Sequence, residues 1–202
     1  MTRITIFDYG AGNLHSLVKA LDLDGVEVRI ETDPVLAVRS DALVLPGVGA
    51  FPSAAERLAP GRAVMRDAIQ NGLPTLGICL GMQLLFDTSE EGGGTGLGVI
   101  AGRVRKLRAR RVPQIGWNEV ESLDESLPAI AYFANSYVCE PEDEEMIVAY
   151  TTHEKDRFAS AVALSATVGV QFHPEKSSTA GVEFVHRFVR GVIGGVIGGV
   201  AT

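Results

Sequence analysis

"TLGICLGMQLL", residues 75–85, sets one cysteine between two glycines immediately after an apolar run. How this stretch is read decides the fold. "LPTLGIC" (73–79) is apolar without alternation, the pattern of a strand buried on both faces. "LGMQLLF" (80–86) has the spacing of a starting helix. Strands covered on both faces belong to parallel sheets, and parallel neighbours need helical crossovers between them.

The same alternation runs upstream. "ITIFDY" (4–9) is an apolar strand. In "GAGNLHSLVKALDLDG" (10–25), Leu14, Leu17, Val18 and Leu21 mark one helix face, and Gly25 closes it. "VEVRI" (26–30) and "DALVLPG" (41–47) are strands. "SAAERLAPGRAVMRDAIQNG" (53–72) is helical with a break at Pro60-Gly61. After about residue 87 the character changes. "GVIAGRVRKLRARRVPQIGWNEVESL" (98–123), "AIAYFANSYVCE" (129–140), "EMIVAYTTH" (145–153), "ASAVALSA" (159–166) and "TVGVQFHP" (167–174) read as antiparallel strands. "AGVEFVHRFVRGVIG" (180–194) closes the chain as a helix, with Val182, Val185, Phe188 and Val189 on one side. These runs predict an α/β fold: a flavodoxin-like mixed sheet with a parallel centre, helices on both faces and an antiparallel extension in the second half. No linker divides it. One domain is expected over 1–192, followed by a flexible Gly/Val/Ile tail over 193–202, because glycine-rich repeats cannot hold a helix unaided. "EEGGGTGLG" (90–98) is expected to be a flexible loop for the same reason.

With 202 residues, 46% hydrophobic and 21% charged, the chain suits one soluble globular core. A formal charge of −7 argues against general affinity for nucleic acid or anionic membranes. No run is long enough to span a bilayer. "MTRITIFDYG" reads as a strand that begins at once, without the basic and long apolar stretches of a signal peptide. Cys79 and Cys139 are therefore expected to be free thiols in a reducing cytoplasm.

On this map Cys79 lies at the C-terminal end of a buried strand and at a helix N-terminus, the edge where open α/β sheets place their sites. Gly77-x-Cys79-x-Gly81 has the spacing of a nucleophile elbow, with sulfur in place of a hydroxyl. The turn is so tight that larger side chains at the flanking positions would clash. A helix start also offers free N–H groups to a developing oxyanion and favours thiolate. A packed core cysteine is the plainer alternative. A thiolate needs a base, and a base needs an orienting group. Of His15, His153, His173 and His186, only His173 ends an apolar strand. It is followed by Pro174 and Glu175, and residues two apart in an extended segment face the same side. Cys79, His173 and Glu175 thus form a coherent triad by role, although "HPE" alone is also an ordinary strand exit. "LPGVGAF" (45–51) ends another buried strand and is suited to supplying the second half of an oxyanion hole.

Together these residues resemble the class I (triad) glutamine amidotransferases. Within them, "FDYGAGNLHSL", "LPGVGAF", "GICLGMQLLFDTSEEG", "RRVPQIGWNEV" and "GVQFHPEKSS" resemble the glutaminase subunits of imidazole glycerol phosphate synthase, which serve histidine biosynthesis. The resemblance covers nearly the whole chain except the tail. It implies that Cys79 attacks the side-chain amide of glutamine to form a thioester, that His173 moves the proton to departing ammonia, and that Glu175 orients His173. It implies an oxyanion hole from Leu80 and Val48, with Gly47 beside them, and glutamine held by Gln83, Glu91, Ser136 and Tyr137. It implies a heterodimer with a (β/α)8-barrel cyclase that receives the ammonia, with Asn13, Arg111 and Trp117 facing that partner and Tyr132 and Lys176 lining the exit. No cofactor and no metal are implied.

Asn135 departs from the pattern, standing where the family usually has histidine. "RVRKLRARR" (103–111) carries six basic residues in nine, read either as a solvated strand face or as part of the partner surface. Two other activities remain compatible with an elbow cysteine on such a sheet. One is the glutaminase subunit of another synthase, such as pyridoxal phosphate synthase, although a Gly-Gly-Glu-Ser type turn is usual there in place of Pro46-Gly47-Val48-Gly49. The other is a thiol hydrolase or peptidase, which usually lacks "HPE" and "GMQ".

Overall fold

The computed structural model describes residues 1–10, 14–122 and 124–195. The first half alternates as the sequence predicts. β1 (Thr2–Phe7), α1 (His15–Leu21), β2 (Val26–Glu31), α2 (Pro34–Ala37) and β3 (Ala42–Leu45) come first. They are followed by α3 (Phe51–Leu58), α4 (Arg62–Gln70), β4 (Thr75–Ile78) and α5 (Leu80–Leu84). The break at Pro60-Gly61 is a 3-10 turn, Ala59–Gly61, between α3 and α4. Helix α1 stops at Leu21, the last residue of its apolar face, short of the expected close at Gly25. Asp22 caps it, and Gly25, at φ +83°, turns the chain into β2.

The second half contributes β5 (Thr88–Ser89), β6 (Gly102–Lys106), β7 (Gln114–Glu119), β8 (Ile130–Asn135), β9 (Tyr137–Pro141), β10 (Ile147–His153), β11 (Asp156–Leu164) and β12 (Thr167–Val170), then α6 (Ser178–Gly194). The main sheet has the order β2-β1-β3-β4-β12-β11-β9-β6-β5, with β10 paired to β11. From β2 to β12 every pair is parallel; from β12 to β6 every pair is antiparallel. β3 and β4 are buried at every position, so both faces of the sheet's centre are covered. The predicted single sheet needs one correction. β7 and β8 leave it to form a two-stranded ribbon of their own, and the apolar run 129–140 is split at Ser136 between β8 in the ribbon and β9 in the main sheet.

Strand β12 decides the geometry. It comes last in sequence but pairs parallel with β4, in the register Gly169↔Gly77 and Val170↔Ile78. The residues after β12 are thereby set beside those after β4. Helix α6 follows and buries Gly181, Phe184, Val185 and Val189, a stripe shifted from the predicted one. Val182 and Phe188 flank it, half-buried. It runs through Gly194, two residues past the expected domain end. Gly195, at φ +64°, caps it, and residues 196–202 of the Gly/Val/Ile tail lie outside the described residues. Among the described residues no helix is long and apolar enough to cross a membrane.

The basic run is not merely a solvated face. Arg105 lies buried on β6 and grips the buried Asp156 with two hydrogen bonds, 2.7 and 2.8 Å, while Glu140 takes its Nε at 3.2 Å. Asp156 also accepts from the Arg108 amide at 2.7 Å, and Glu154 accepts from the amides of Arg110 and Arg111. Burial raises the Asp156 carboxyl, but hydrogen bonds from Arg105 and the Arg108 amide, with the charges of both arginines, outweigh it and hold it below its usual range. A carboxyl depressed in the folded state stabilises above its unfolded value and loses that contribution as pH falls. Arg105→Met should strand Asp156 and cost about 3 kcal/mol in a denaturant titration at neutral pH. The gap from the parent should narrow in acid, where Asp156 becomes neutral.

Candidate active site

Cys79 occupies the turn between β4 and α5 with φ +47° and ψ −103°, a conformation that L-residues avoid. Packing enforces it. A Cβ on Gly77 would meet the Gly81 carbonyl oxygen at 2.8 Å, and one on Gly81 would meet the Leu45 carbonyl oxygen at 2.0 Å. The predicted steric reason for both glycines therefore holds, and the clash partners are backbone atoms that cannot yield. Helix α5 has only five residues, so its contribution near the sulfur is the free amides of one turn rather than a long macrodipole.

His173 follows β12 by three residues and faces the elbow. Its Nδ1 bonds Glu175 Oε1 at 2.8 Å. The contact expected from the sequence is present, but strand alternation does not make it. Residues 174–176 form a 3-10 turn capped by His173, and the turn swings Glu175 back onto the ring. Burial works to lower the His173 pKa, but hydrogen bonds to Cys79 and Glu175, together with their charges, raise it to about 9. At neutral pH the ring is therefore an imidazolium beside the sulfur, the form that can donate a proton. The ring and the thiol also crowd the end of β3. A Cβ on Gly47 would lie 2.8 Å from His173 Cε1 and 3.1 Å from Cys79 Cβ.

A cavity of about 260 Å³ opens over the sulfur. It is lined by Gly47, Val48 and Gly49 from one side, by Cys79, Leu80 and Gln83 from the elbow, and by Glu91, Asn135, Ser136, Tyr137, His173 and Lys176. The structure thus gathers the expected oxyanion residues Gly47, Val48 and Leu80, the expected ligand-binding residues Gln83, Glu91, Ser136 and Tyr137, and Lys176. Glu175 stands behind His173. Glu91 also accepts the Phe51 amide at 2.8 Å, tying the start of α3 to the cavity wall. The glycine-rich loop is consequently more than a flexible link: a Cβ on Gly94 would lie 2.9 Å from Ala55 of α3.

Three expected residues stand elsewhere. Trp117, on β7, is 55% exposed and packs edge-on against Tyr132 of β8 at 6.1 Å. Arg111 is exposed just before β7. Tyr132 does not line the cavity, but its carbonyl accepts the His173 amide at 2.8 Å, and its own amide donates to Ser177 Oγ. The ribbon is thus hydrogen-bonded to the backbone of His173. Asn13 lies outside the described residues.

Sequence reasoning missed two groups at the site. The Tyr9 hydroxyl, buried, donates to the Pro46 carbonyl and pins the start of the Gly47-Val48 segment. Burial, then the charges of Cys79 and Asp8, push its pKa well up, so it remains a donor. Gln171, fully buried, donates Nε2 to Cys79 Sγ at 3.3 Å. The rule of residues two apart, applied to 173 and 175, belonged to 171 and 173. Cys139 is buried; burial, then the nearby Cys79 charge, raise its pKa well above normal. Both cysteines are free.

Residues 5–191 match the family described as Glutamine amidotransferase class-I. The chain belongs to that family. Among curated class-I glutamine amidotransferases, it is 42% identical over 205 aligned residues to the imidazole glycerol phosphate synthase subunit HisH of Microcystis aeruginosa, covering 95% of this chain and 97% of the relative. It is also 42% identical to the HisH subunit of a Synechocystis species, covering 95% and 98%. Among solved structures, a glutamine amidotransferase superposes with a TM-score of 0.72 at 18% identity over 95% of this chain and 98% of that one. PurLQS from Thermotoga maritima superposes with a TM-score of 0.67 at 16% identity, over 96% and 100%. These structures share the fold.

A histidine raised in the folded state stabilises fully below its unfolded value, near 6.5, and loses that contribution as pH rises through about 9. Glu175→Gln should cost about 1.5 kcal/mol at pH 6.5 in thermal or denaturant unfolding, the scale of a hydrogen bond to a charged group. The variant's deficit should shrink by pH 10.

Proposed function

We propose that this chain is the glutaminase subunit of an imidazole glycerol phosphate synthase and releases ammonia from L-glutamine for histidine biosynthesis. What supports the reading most is the meeting of the strained Cys79 with His173–Glu175 in a cavity sized for an amino acid, in a chain that aligns with HisH subunits over nearly its full length. A cavity this small is below the roughly 300–1,000 Å³ of pockets for larger ligands.

In this mechanism the Cys79 sulfur attacks the side-chain carbonyl of glutamine. The carbonyl oxygen becomes an oxyanion held by the N–H groups of Leu80 and Val48, with Gly47 allowing the close approach. As the C–N bond breaks, the His173 imidazolium gives its proton to the leaving nitrogen, and ammonia departs. The product is a thioester between Cys79 and the glutamyl carbonyl. Water, losing a proton to the now neutral His173, hydrolyses it to glutamate and returns Cys79. Glu91 meets the substrate's ammonium group, while Gln83, Ser136 and Tyr137 supply the remaining polar contacts. Such a site suits a zwitterion, which needs a carboxylate at one end and donors at the other.

The partner in this reading is a (β/α)8-barrel cyclase, with both chains working in the cytoplasm. The β7–β8 ribbon is its docking face: Trp117 is an exposed aromatic near Arg111, the usual composition of an interface anchor, and Ile115 and Ile130 are exposed on the same ribbon. Tyr132 and Lys176 border the exit for ammonia. The hydrogen bond from His173 to the Tyr132 carbonyl then links docking to catalysis.

Ammonia release from glutamine, measured with and without the cyclase and a ribotide ligand, tests the whole reading. Weak turnover alone and strong stimulation by the loaded partner are expected, and Cys79→Ala should abolish both. Gly47→Ala should lower turnover at least about a hundredfold, because its Cβ would displace the ring or the thiol by a large fraction of an ångström. Trp117→Ala should weaken cyclase binding in a titration at least about tenfold, leaving uncoupled turnover unchanged.

A further inference from the structure

Cys79, His173 and Glu175 leave one contact to the sulfur unexplained: the amide of Gln171. Its position follows from β12. Gln171 and His173 come directly after that strand, two residues apart, and both face the elbow, while Phe172 between them points into the core. The Gln171 side chain makes two bonds. Its Nε2 donates to Cys79 Sγ at 3.3 Å, and its Oε1 accepts from Gln83 Nε2 at 3.3 Å. Gln83 Nε2 donates in addition to the Tyr137 carbonyl at 3.2 Å.

The direction of this chain is forced. A backbone carbonyl can only accept, so Tyr137 fixes the NH2 end of Gln83 toward itself. The same NH2 group must then meet the Oε1 of Gln171, which leaves the NH2 end of Gln171 toward the sulfur. Reversing either amide would set two donors or two acceptors against each other in a fully buried place, where an unmet polar group is costly. The sulfur therefore always receives a donor from this side.

We propose that Gln171 is a further catalytic residue, one whose N–H bond to Cys79 Sγ stabilises the sulfur as thiolate, the form that attacks. The negative sulfur has this donor on one face and the His173 imidazolium on the other. Gln83 is joined to the same chain, with both of its N–H groups committed to protein, and its Oε1 is the atom left for a ligand in the cavity. The group that meets the substrate and the group that tunes the nucleophile are thereby two ends of one relay. This inference deepens the glutaminase reading, yet its first test does not depend on glutamine.

The test is the rate of Cys79 alkylation by iodoacetamide in the isolated chain at fixed pH, followed by mass spectrometry of the Cys79 peptide. Gln171→Met keeps the volume and removes the donor. Alkylation should slow about tenfold or more, the effect of losing one hydrogen bond to an ionised group, in a variant whose melting curve remains cooperative. Gln171→Leu serves the same purpose if the methionine variant fails to fold. In the ammonia-release assay the variant should lose kcat by a similar factor with KM changed less than threefold. An alkylation rate equal to the parent's in a folded variant overturns the assignment. A parent chain that alkylates readily but releases no ammonia from glutamine would instead count against the glutaminase reading and leave the relay standing.

Discussion

Everything at this site depends on a shortage of space around one turn. The ends of β3 and β4 and the start of α5 approach so closely that Gly47, Gly77 and Gly81 cannot carry a Cβ without meeting backbone or the side chains of His173 and Cys79. Cys79 is held at a positive φ by that crowding, and its sulfur is lifted out of the strand line into the cavity. A strained conformation at one residue costs of order 1–3 kcal/mol. Here the surrounding buried strands supply the packing that keeps it in place.

The second requirement is met by topology. His173 comes nearly a hundred residues after Cys79. It reaches the elbow because β12 crosses from the antiparallel half of the sheet to pair with β4. One strand therefore supplies both neighbours of the sulfur, Gln171 and His173, and its parallel register fixes them together. The same segment is bonded through Tyr132 and Ser177 to the ribbon on which Trp117 stands. The site, the sheet and the exposed ribbon are thus parts of one hydrogen-bonded structure.

Much of this was legible in the residues. Unbroken apolar runs announced β3 and β4, and the glycine spacing announced the elbow, because close packing leaves no other residue type. Residues carried over from a family resemblance, such as Gln83, Glu91 and Ser136, lie around the cavity, although nothing in their local spacing says so. What stayed hidden depends on tertiary pairing. The split of the run 129–140 at Ser136 is decided by which sheet each half joins, and periodicity does not record that. Arg105 looks like any other residue in a basic run until Asp156, fifty-one positions away, is brought beside it. Gln171 was legible too: alternation along an extended segment sets it on the face of His173.

The clamp on the basic run has a consequence of its own. The amides of Arg108, Arg110 and Arg111 are bonded to carboxylates of Asp156 and Glu154, and His153 holds the Arg111 carbonyl. The main chain there is already fixed, while the guanidinium groups of Arg108, Arg110 and Arg111 remain outward. A segment in that condition has little backbone freedom left to lose when another surface meets it. Ordering a loop on contact is one of the main entropic penalties of association. Acidic residues in a net-acidic chain have here met that penalty during folding, so the positive side chains stand on a backbone that is already fixed.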